Sequence, residues 1–221
     1  MKKVGVVLSG CGVYDGGEIH ESVLTLLALD KEGAETICMA PDINQMHVVN
    51  HLTGKPVEGE TRNVLIESAR IARGNIKDIK NVNIDQIDAL IFPGGFGAAK
   101  NLCNFAVAGE KCEVNQHVAQ LVRKMVKAGK PVGAICISPA MIAGVFKNDP
   151  EIHPELTIGT DSGTGSKLEA MGSKHKNKKV DEIHVDKKLK IVSTPAYMLA
   201  GHIAEVEKGI NKLVKEVLAL V

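Results

Sequence analysis

The sequence has no tryptophan and few other aromatic side chains, with two tyrosines and four phenylalanines among 221 residues. This scarcity excludes the aromatic stacking platforms that bind single-stranded nucleic acid. An excess of charge is also missing, because 27 lysines and arginines stand against 26 aspartates and glutamates, for a net charge of +1. No apolar run approaches the roughly 18 residues that a membrane span requires. We therefore expect neither a nucleic acid nor a membrane as a partner.

Cysteine patterns typical of disulfide frameworks and zinc sites are absent. His47 and His51 stand four positions apart but lack a third ligand at a suitable spacing, so no metal site is predicted. The cysteines are odd in number and none forms a C-x-x-C pair: Cys11, Cys38, Cys103, Cys112 and Cys136. Free thiols are typical of a reducing compartment, and we expect a cytoplasmic protein.

The amino terminus resembles a lipoprotein signal in one respect, since basic residues precede a short apolar run and a cysteine. The apolar core, Val4–Leu8, has five residues, whereas a secretory signal has about 7–15. A buried strand that enters a glycine turn is the better interpretation.

Short apolar runs alternate with amphipathic segments along most of the chain. The predicted strands are Lys3–Leu8, Thr36–Ala40, Asp88–Phe92, Val132–Cys136 and a hairpin of Val180–Val185 with Leu189–Ser193. The predicted helices are about 18–31, Thr61–Gly74, Asn115–Gly129, Pro139–Phe146 and about 201–220. The first helix has one apolar face, made of Ile19, Val23, Leu26 and Leu27. This alternation predicts an α/β fold, with a mostly parallel sheet and helices on both faces, in a single domain of residues 1–221.

In such sheets, binding sites lie beyond the carboxyl ends of the strands. Cys136 stands at such an end, just before the helix that Pro139 begins. A sharp turn there presents the thiol beside backbone N–H groups, and the helix N-terminus favours the thiolate. The alternative is a buried cysteine that packs as a small hydrophobic residue. The position favours a functional thiol.

Two further segments follow strands in the same way. Pro93–Gly97 is glycine-rich, so its backbone can approach a ligand and donate to an oxyanion; the alternative is a plain tight turn. Gly10–Glu21 brings Glu18 and Glu21 to one helix face, where a buried carboxyl could move a proton. The alternative for these carboxyls is stabilisation of the helix dipole. The dinucleotide-binding register fails at Asp15, so that class of site is not predicted.

Residues 148–180 are rich in glycine, serine, lysine and histidine, with one short helix predicted near 166–171. Gly163–Lys167 does not fit the phosphate-binding loop pattern. The basic run Lys174–Lys179 is typical of a solvated surface. The purpose of the segment stays open, and one hypothesis is that it covers the site.

Taken together, several stretches resemble the ElbB-like family, also called the sigma cross-reacting or enhancing-lycopene-biosynthesis proteins. The resemblance extends over nearly the whole chain, and its most specific parts are Leu8–Glu21, Thr61–Val64, Glu67–Gly74, Pro93–Leu102 and Ser193–Met198. That family belongs to the PfpI-like branch of the class I glutamine-amidotransferase-like proteins. The resemblance implies a flavodoxin-like three-layer sandwich, a homodimer, and chemistry without a metal or organic cofactor.

The resemblance also implies a site. Cys136 is the implied nucleophile, and the family's carboxylate that contacts it falls on Glu21, by its spacing to Gly33. The implied oxyanion donors are the N–H groups of Gly95 and Ile137, with Gly94 and Asn101 as further substrate contacts.

One departure from the superfamily concerns its histidine. Many members carry a histidine downstream of the nucleophile, where this chain has Thr160 and Asp161. Neither side chain can act as that base in the same way. His20 is the expected catalytic substitute, and His153 is a weaker candidate.

The ElbB-like family is associated with glyoxalase activity that needs no glutathione. The resemblance therefore implies a small aldehyde substrate, glyoxal or methylglyoxal, converted to the hydroxy acid through a hemithioacetal on Cys136 with Glu21 as proton shuttle. The alternative is a non-enzymatic redox sensor or chaperone-like protein in which Cys136 is oxidised. A glutaminase subunit is a third hypothesis, which lacks the downstream His–Glu pair of a triad.

Overall fold

The computed structural model describes all residues from Met1 to Val221. Helices and strands follow one another in the order β1 (Lys3–Val7), α1 (Ile19–Lys31), β2 (Glu35–Ala40), β3 (Val49–Asn50), β4 (Lys55–Pro56), α2 (Val64–Ile71), β5 (Ile76–Asp78), β6 (Ala89–Phe92), α3 (Phe96–Lys100), α4 (Phe105–Ala108), α5 (Gln116–Lys127), β7 (Val132–Ile135), α6 (Ser138–Phe146), β8 (Glu155–Leu156), α7 (Ser162–Ala170), β9 (Lys174–His175), β10 (His184–Asp186), β11 (Ile191–Thr194) and α8 (Ile203–Ala219). Short 3-10 helices are Ile79–Asn81, Ile84–Gln86, Gly109–Lys111 and Ala196–Met198.

Seven strands form the central sheet, in the order β10-β11-β7-β6-β1-β2-β5. Every neighbouring pair is parallel except β10 and β11, which are antiparallel with Val185 opposite Val192. The central strands read as continuous apolar runs because helices cover both of their faces. Val4 and Val6 in β1, for example, are fully buried.

Helices lie on both faces of this sheet, which confirms the predicted α/β flavodoxin-like sandwich. Helices α1, α2 and α8 pack together on one face, and α5 and α6 lie on the other. Helix α5 shows how the sequence directs this packing. The Asn115 side chain accepts hydrogen bonds from the first turn, and an apolar stripe faces the sheet: Val118, Leu121, Val122, Met125 and Val126.

The buried face of α1 differs from the prediction. Ile19, Val23 and Leu27 are between 41% and 48% exposed, and the buried side chains are instead Glu21, Ser22, Thr25, Ala28 and Leu29. The two hydroxyl groups can be buried because each donates a hydrogen bond of 2.7 Å to a main-chain carbonyl one turn earlier. Ser22 donates to the carbonyl of Glu18, and Thr25 donates to the carbonyl of Glu21. The buried face of α1 is therefore polar in its first half and apolar in its second half.

Other boundaries were predicted less well. Helix α2 is capped by Asn63, whose side chain accepts from the N–H of Ile66 at 3.0 Å, and not by Thr61. The edge strand β5 was not predicted, and the two hairpin strands are shorter than expected. No helix is both long and apolar enough to cross a membrane.

Candidate active site

Cys136 lies on a sharp turn between β7 and α6. Its φ angle is +61°, in the left-handed region that side chains other than glycine rarely adopt. The turn is tied to both neighbouring strands, because the Cys136 N–H donates to the Thr194 carbonyl at 2.9 Å and the Ser138 hydroxyl donates to the Pro93 carbonyl at 2.8 Å. The strained turn therefore holds the thiol at the carboxyl end of the sheet.

Glu21 lies beside this thiol, in the first turn of α1, and is fully buried. The N–H of Gly94 donates to its Oε2 at 2.9 Å, and the N–H of Tyr197 donates to its Oε1 at 3.2 Å. The carboxyl is also hydrogen-bonded to the Cys136 side chain. The structure thus brings together the two groups that the sequence predicted as nucleophile and proton shuttle.

The pKa of Glu21 is raised to about 8, first by burial and second by the nearby charge of Glu18. Hydrogen bonds from Tyr197, Cys136 and Gly94 oppose this rise but do not outweigh it. A carboxyl with such a pKa can both accept and return a proton near neutral pH. Glu18 itself is fixed by capping α1, since its Oε2 accepts from the Glu21 N–H at 2.7 Å.

The pKa of the Cys136 thiol lies well above its usual value, so the predicted stabilised thiolate is wrong for the unliganded site. Burial is the main cause and the charge of Glu21 is the second. The N–H groups of Gly95 and Ile137 point to the sulfur and act in the opposite direction. These N–H groups and the helix N-terminus lower the pKa of the thiol by less than burial and the nearby Glu21 carboxylate raise it.

A cleft of about 440 Å³ opens in front of the thiol. Its lining includes Cys136, Gly95 and Ile137, which places the sulfur and both N–H donors at one wall. The other lining residues come from five further segments: Val13, Glu18, Phe96, Ala99, Phe105, Ala106, Thr164, Tyr197 and Met198. A reacting carbonyl carbon in this cleft can meet the sulfur and the N–H groups together.

Some expected contact residues lie elsewhere. His20 is exposed and outside the cleft lining, and its Nδ1 lies 2.7 Å from the Tyr197 hydroxyl. The Asn101 amide N donates to the carbonyls of Ser9 (2.9 Å) and Asp15 (2.8 Å), and its oxygen accepts from the Met46 N–H (2.9 Å). Asn101 therefore joins the loop between β1 and α1 to the segment at Met46. It does not line the cleft, in contrast to the expected substrate contact.

Gly94 also differs from the expectation of a substrate contact, because its N–H is used by Glu21. A Cβ atom at this position would lie 2.4 Å from the Cβ of Cys136 and 2.5 Å from Oε2 of Glu21. Glycine is therefore required for the close approach of the nucleophile and the carboxyl.

The segment 148–180 reaches the cleft through Thr164 in α7. Asp161, at the place of the superfamily histidine, caps this helix by accepting from the Thr164 N–H at 2.6 Å. No histidine lines the cleft. Gly163–Lys167 lies inside α7 and so does not form a phosphate-binding loop. No group of three or more histidine, cysteine, aspartate or glutamate side chains is placed to hold a metal ion.

Tyr197 follows β11 and lies in Ser193–Met198, a stretch that the sequence had already indicated. Other lining residues were missed by the sequence prediction. Phe105 and Ala106 lie on the short helix α4, and nothing in their local sequence separates them from ordinary apolar surface residues.

Comparison with known proteins shows which family this chain resembles along its length. Residues 15–148 match the model of the DJ-1/PfpI family. A human protein named "Glutamine amidotransferase-like class 1 domain-containing protein 3, mitochondrial" is 48% identical, over 99% of this chain and 83% of its own length. The rat "ES1 protein homolog, mitochondrial" is 47% identical, over 99% of this chain and 84% of its own length. "Deglycase PfpI" from Pyrococcus furiosus is 38% identical over 30% of this chain and 34% of its own length.

Solved structures show the same fold. A protein from Ehrlichia chaffeensis, described as an isoprenoid biosynthesis protein with an amidotransferase-like domain, has a TM-score of 0.93 and 36% identity over 100% of this chain and 99% of that one. Glyoxalase III from Candida albicans has a TM-score of 0.63 over 99% of this chain and 97% of that one. The sequence identity is 14%, so the likeness is one of fold alone.

These relatives correct the expected compartment. The human and rat proteins are named as mitochondrial, so the cytoplasmic prediction is wrong and the comparison points to mitochondria. The free cysteines indicated reducing surroundings, and that property does not distinguish one reducing compartment from another. The matched family model and the relatives that span nearly the whole chain agree on one assignment: this protein belongs to the DJ-1/PfpI family, within the class I glutamine-amidotransferase-like superfamily.

Proposed function

We propose that the protein is a cofactor-independent glyoxalase that converts glyoxal or methylglyoxal to the corresponding hydroxy acid. The observation that carries the proposal is the hydrogen-bonded pair of Cys136 and Glu21, placed at a cleft wall with the N–H groups of Gly95 and Ile137 at the sulfur. The resemblance to the ElbB-like glyoxalases supports the same assignment.

In the first step, the Cys136 sulfur adds to the aldehyde carbon of the substrate. A carbon–sulfur bond forms, the carbonyl π bond breaks, and the thiol proton passes by way of Glu21 to the new oxygen, so that Glu21 is again a carboxylate. The N–H groups of Gly95 and Ile137 stabilise the charge that develops on this oxygen. The product of the step is a hemithioacetal on Cys136.

In the second step, the Glu21 carboxylate takes the hydrogen of the former aldehyde carbon as a proton. The electron pair of that bond moves toward the neighbouring carbonyl, whose oxygen takes up the hydroxyl proton of the hemithioacetal, and Glu21 returns the proton from carbon to the neighbouring carbon. The sulfur-bearing carbon is then the carbonyl of a thioester. One carbon is oxidised and the other is reduced, so no external oxidant is needed. Water then hydrolyses the thioester, which releases the hydroxy acid and restores the Cys136 thiol.

The raised pKa values fit this cycle. A thiol that stays neutral in the empty site is protected from oxidation. It can be deprotonated by the adjoining Glu21 when a carbonyl carbon is in place. The same two properties, burial and a raised pKa of Cys136, disfavour the alternative of a redox sensor, because sensor cysteines have a low pKa and are accessible.

The test is glyoxal consumption by the purified protein, with glycolate detected as the product. Cys136→Ser and Glu21→Gln are each expected to lower kcat by at least about a hundredfold, as loss of a nucleophile or a proton-transfer group does. Cys11→Ser is the matched control, since Cys11 is a free thiol outside the cleft. Absence of glycolate with the wild-type protein would overturn the proposal.

A deglycase is the second candidate, favoured by the partial match to relatives so named. It would use the same Cys136 and Glu21 on an aldehyde already attached to an amine or a thiol. Release of glycolate from a preformed adduct, faster than from an equal concentration of free glyoxal, would favour this second activity.

A further inference from the structure

The cleft is much larger than the substrates considered so far. A dialdehyde with four heavy atoms occupies on the order of 100 Å³, taking the ~30 Å³ share of a water molecule for each atom. The cleft measures about 440 Å³. Glyoxal alone would therefore leave most of the space in front of Cys136 empty.

The cleft is also chemically divided. Its reactive wall holds the Cys136 thiol with the N–H groups of Gly95 and Ile137. Nine of its twelve lining residues are hydrophobic. Those outside the reactive wall are Val13, Phe96, Ala99, Phe105, Ala106, Tyr197 and Met198. Polar groups thus lie together at the place where a carbonyl would react, and apolar side chains surround the rest of the cleft. This division is typical of sites whose ligand is mostly apolar.

Two phenylalanine rings on this apolar part are held in place from outside the cleft. The ammonium group of Lys100 lies 5.0 Å from the ring centre of Phe96, and that of Lys167 lies 5.9 Å from the ring centre of Phe105. Neither lysine belongs to the cleft lining. Each cation modestly favours the present orientation of its ring. An apolar group that contacts the two rings therefore has less side-chain freedom to remove on binding.

The residues that line the cleft disfavour anionic carbonyl compounds. No lysine or arginine lines it, whereas Glu18 does. The ammonium groups of Lys100 and Lys167 lie behind the phenylalanine rings, so a phosphate or carboxylate within the cleft would lack a direct partner and face a like charge.

We propose that the preferred substrate is an uncharged α-oxoaldehyde that carries an aryl or branched alkyl group, with this group bound between Phe96 and Phe105. The inference rests on the proposed function, since the same Cys136 and Glu21 carry out the reaction. The stoichiometry is the same as for glyoxal, because one oxoaldehyde and one water give one 2-hydroxy acid.

The experiment compares kcat/KM for glyoxal, methylglyoxal, isopropylglyoxal and phenylglyoxal, with the hydroxy acids identified by chromatography. We expect isopropylglyoxal and phenylglyoxal to exceed glyoxal by about tenfold to a hundredfold, from burial of their apolar groups. Turnover of all four with glyoxal preferred would overturn this inference and leave the proposed function standing. No turnover of any α-oxoaldehyde would overturn both.

Ala106→Trp tests the place of binding. Ala106 lines the cleft and is exposed, so a larger side chain can be added without disturbing the core. The ratio of kcat/KM for phenylglyoxal to that for glyoxal is expected to fall by about tenfold or more. Val107→Trp is the matched control on the same helix, because Val107 is 65% exposed and outside the cleft, and it should leave the ratio unchanged. An unchanged ratio in Ala106→Trp would show that the apolar group binds elsewhere and would overturn the inference.

Discussion

The backbone N–H of Gly94 donates a hydrogen bond of 2.9 Å to Oε2 of Glu21. This bond fixes one oxygen of the buried carboxyl at the end of β6, next to the strand that carries the nucleophile. The contact is possible because position 94 has no Cβ atom, and it makes the position sensitive to the smallest substitution.

Gly94→Ala is therefore expected to lower activity and stability together. The added methyl would overlap the Cβ of Cys136 and Oε2 of Glu21, at a cost of about 1–3 kcal/mol, and misplacement of the pair should reduce kcat by about a hundredfold. Thermal unfolding and glyoxal turnover measure the two effects. Gly163→Ala is the control, because the added Cβ in helix α7 would meet only Asp161 Oδ1, at 3.7 Å. Wild-type behaviour of Gly94→Ala would contradict the packing described for the pair.

The raised pKa of Glu21 predicts how stability depends on pH. A carboxyl whose pKa is higher in the folded state contributes stability that is full below its unfolded pKa, about 4.5, and is lost as the pH rises to about 8. Within this window the free energy of unfolding of the wild type should fall relative to that of Glu21→Gln by up to about 1.4 kcal/mol per pH unit.

Urea unfolding of both proteins across this window measures the difference. Glutamine lacks one acceptor for the N–H groups of Gly94 and Tyr197, and this loss adds a constant offset that does not depend on pH. A difference that stays constant from about pH 4.5 to about pH 8 would show that Glu21 has an ordinary pKa.

The reactivity of Cys136 toward alkylation should report the charge on Glu21. Because burial and Glu21 raise the pKa of the thiol, iodoacetamide should label Cys136 slowly near neutral pH and faster as the pH rises. In Glu21→Gln the repelling charge is gone, so labelling in the alkaline range should be faster than in the wild type. Mass spectrometry of the Cys136 peptide gives the rates, with the Cys11 peptide as internal reference. Slower labelling in the variant would instead indicate that Glu21 deprotonates the thiol in the empty site.

His20 is predicted to act through Tyr197. Its Nδ1 contacts the Tyr197 hydroxyl at 2.7 Å, and the tyrosine, not the histidine, lines the cleft. His20→Ala and Tyr197→Phe should each lower kcat/KM by about two- to tenfold, the range for loss of one hydrogen bond. The double variant should be no worse than the more impaired single one, because both remove the same contact. Additive losses would mean that His20 has a separate function.

The fold was largely predictable because its signals are local. Buried parallel strands such as β1 and β6 appear as short apolar runs, and the glycines and prolines that follow them mark their ends. Strand β5 was not predicted because this edge strand has only three residues and no apolar run. The face of α1 was predicted wrongly because Ile19, Val23 and Leu27 form the stronger apolar pattern, whereas the buried face is set by Glu21 and two hydroxyls whose partners are not visible in the sequence.

The nucleophile and the carboxyl of the site were predictable, whereas the places of His20 and Asn101 and the electrostatics of the site were not. Cys136 and Glu21 follow from strand ends and from the family resemblance. The protonation of the thiol does not follow, since it depends on burial by residues such as Tyr197, far along the chain. The helix N-terminus was the visible signal, and burial was the larger effect.

The hydrogen bond between Tyr197 and Glu21 joins positions that are 176 residues apart. During synthesis, Glu21 leaves the ribosome long before Tyr197 exists, and until then the carboxyl lacks both a donor and the wall that keeps water out. In a nascent chain that ends before Tyr197, Glu21 therefore lacks one of the two N–H donors that hold its carboxyl beside Cys136. The site that we propose to act on aldehydes is therefore complete only when the chain has folded beyond β11.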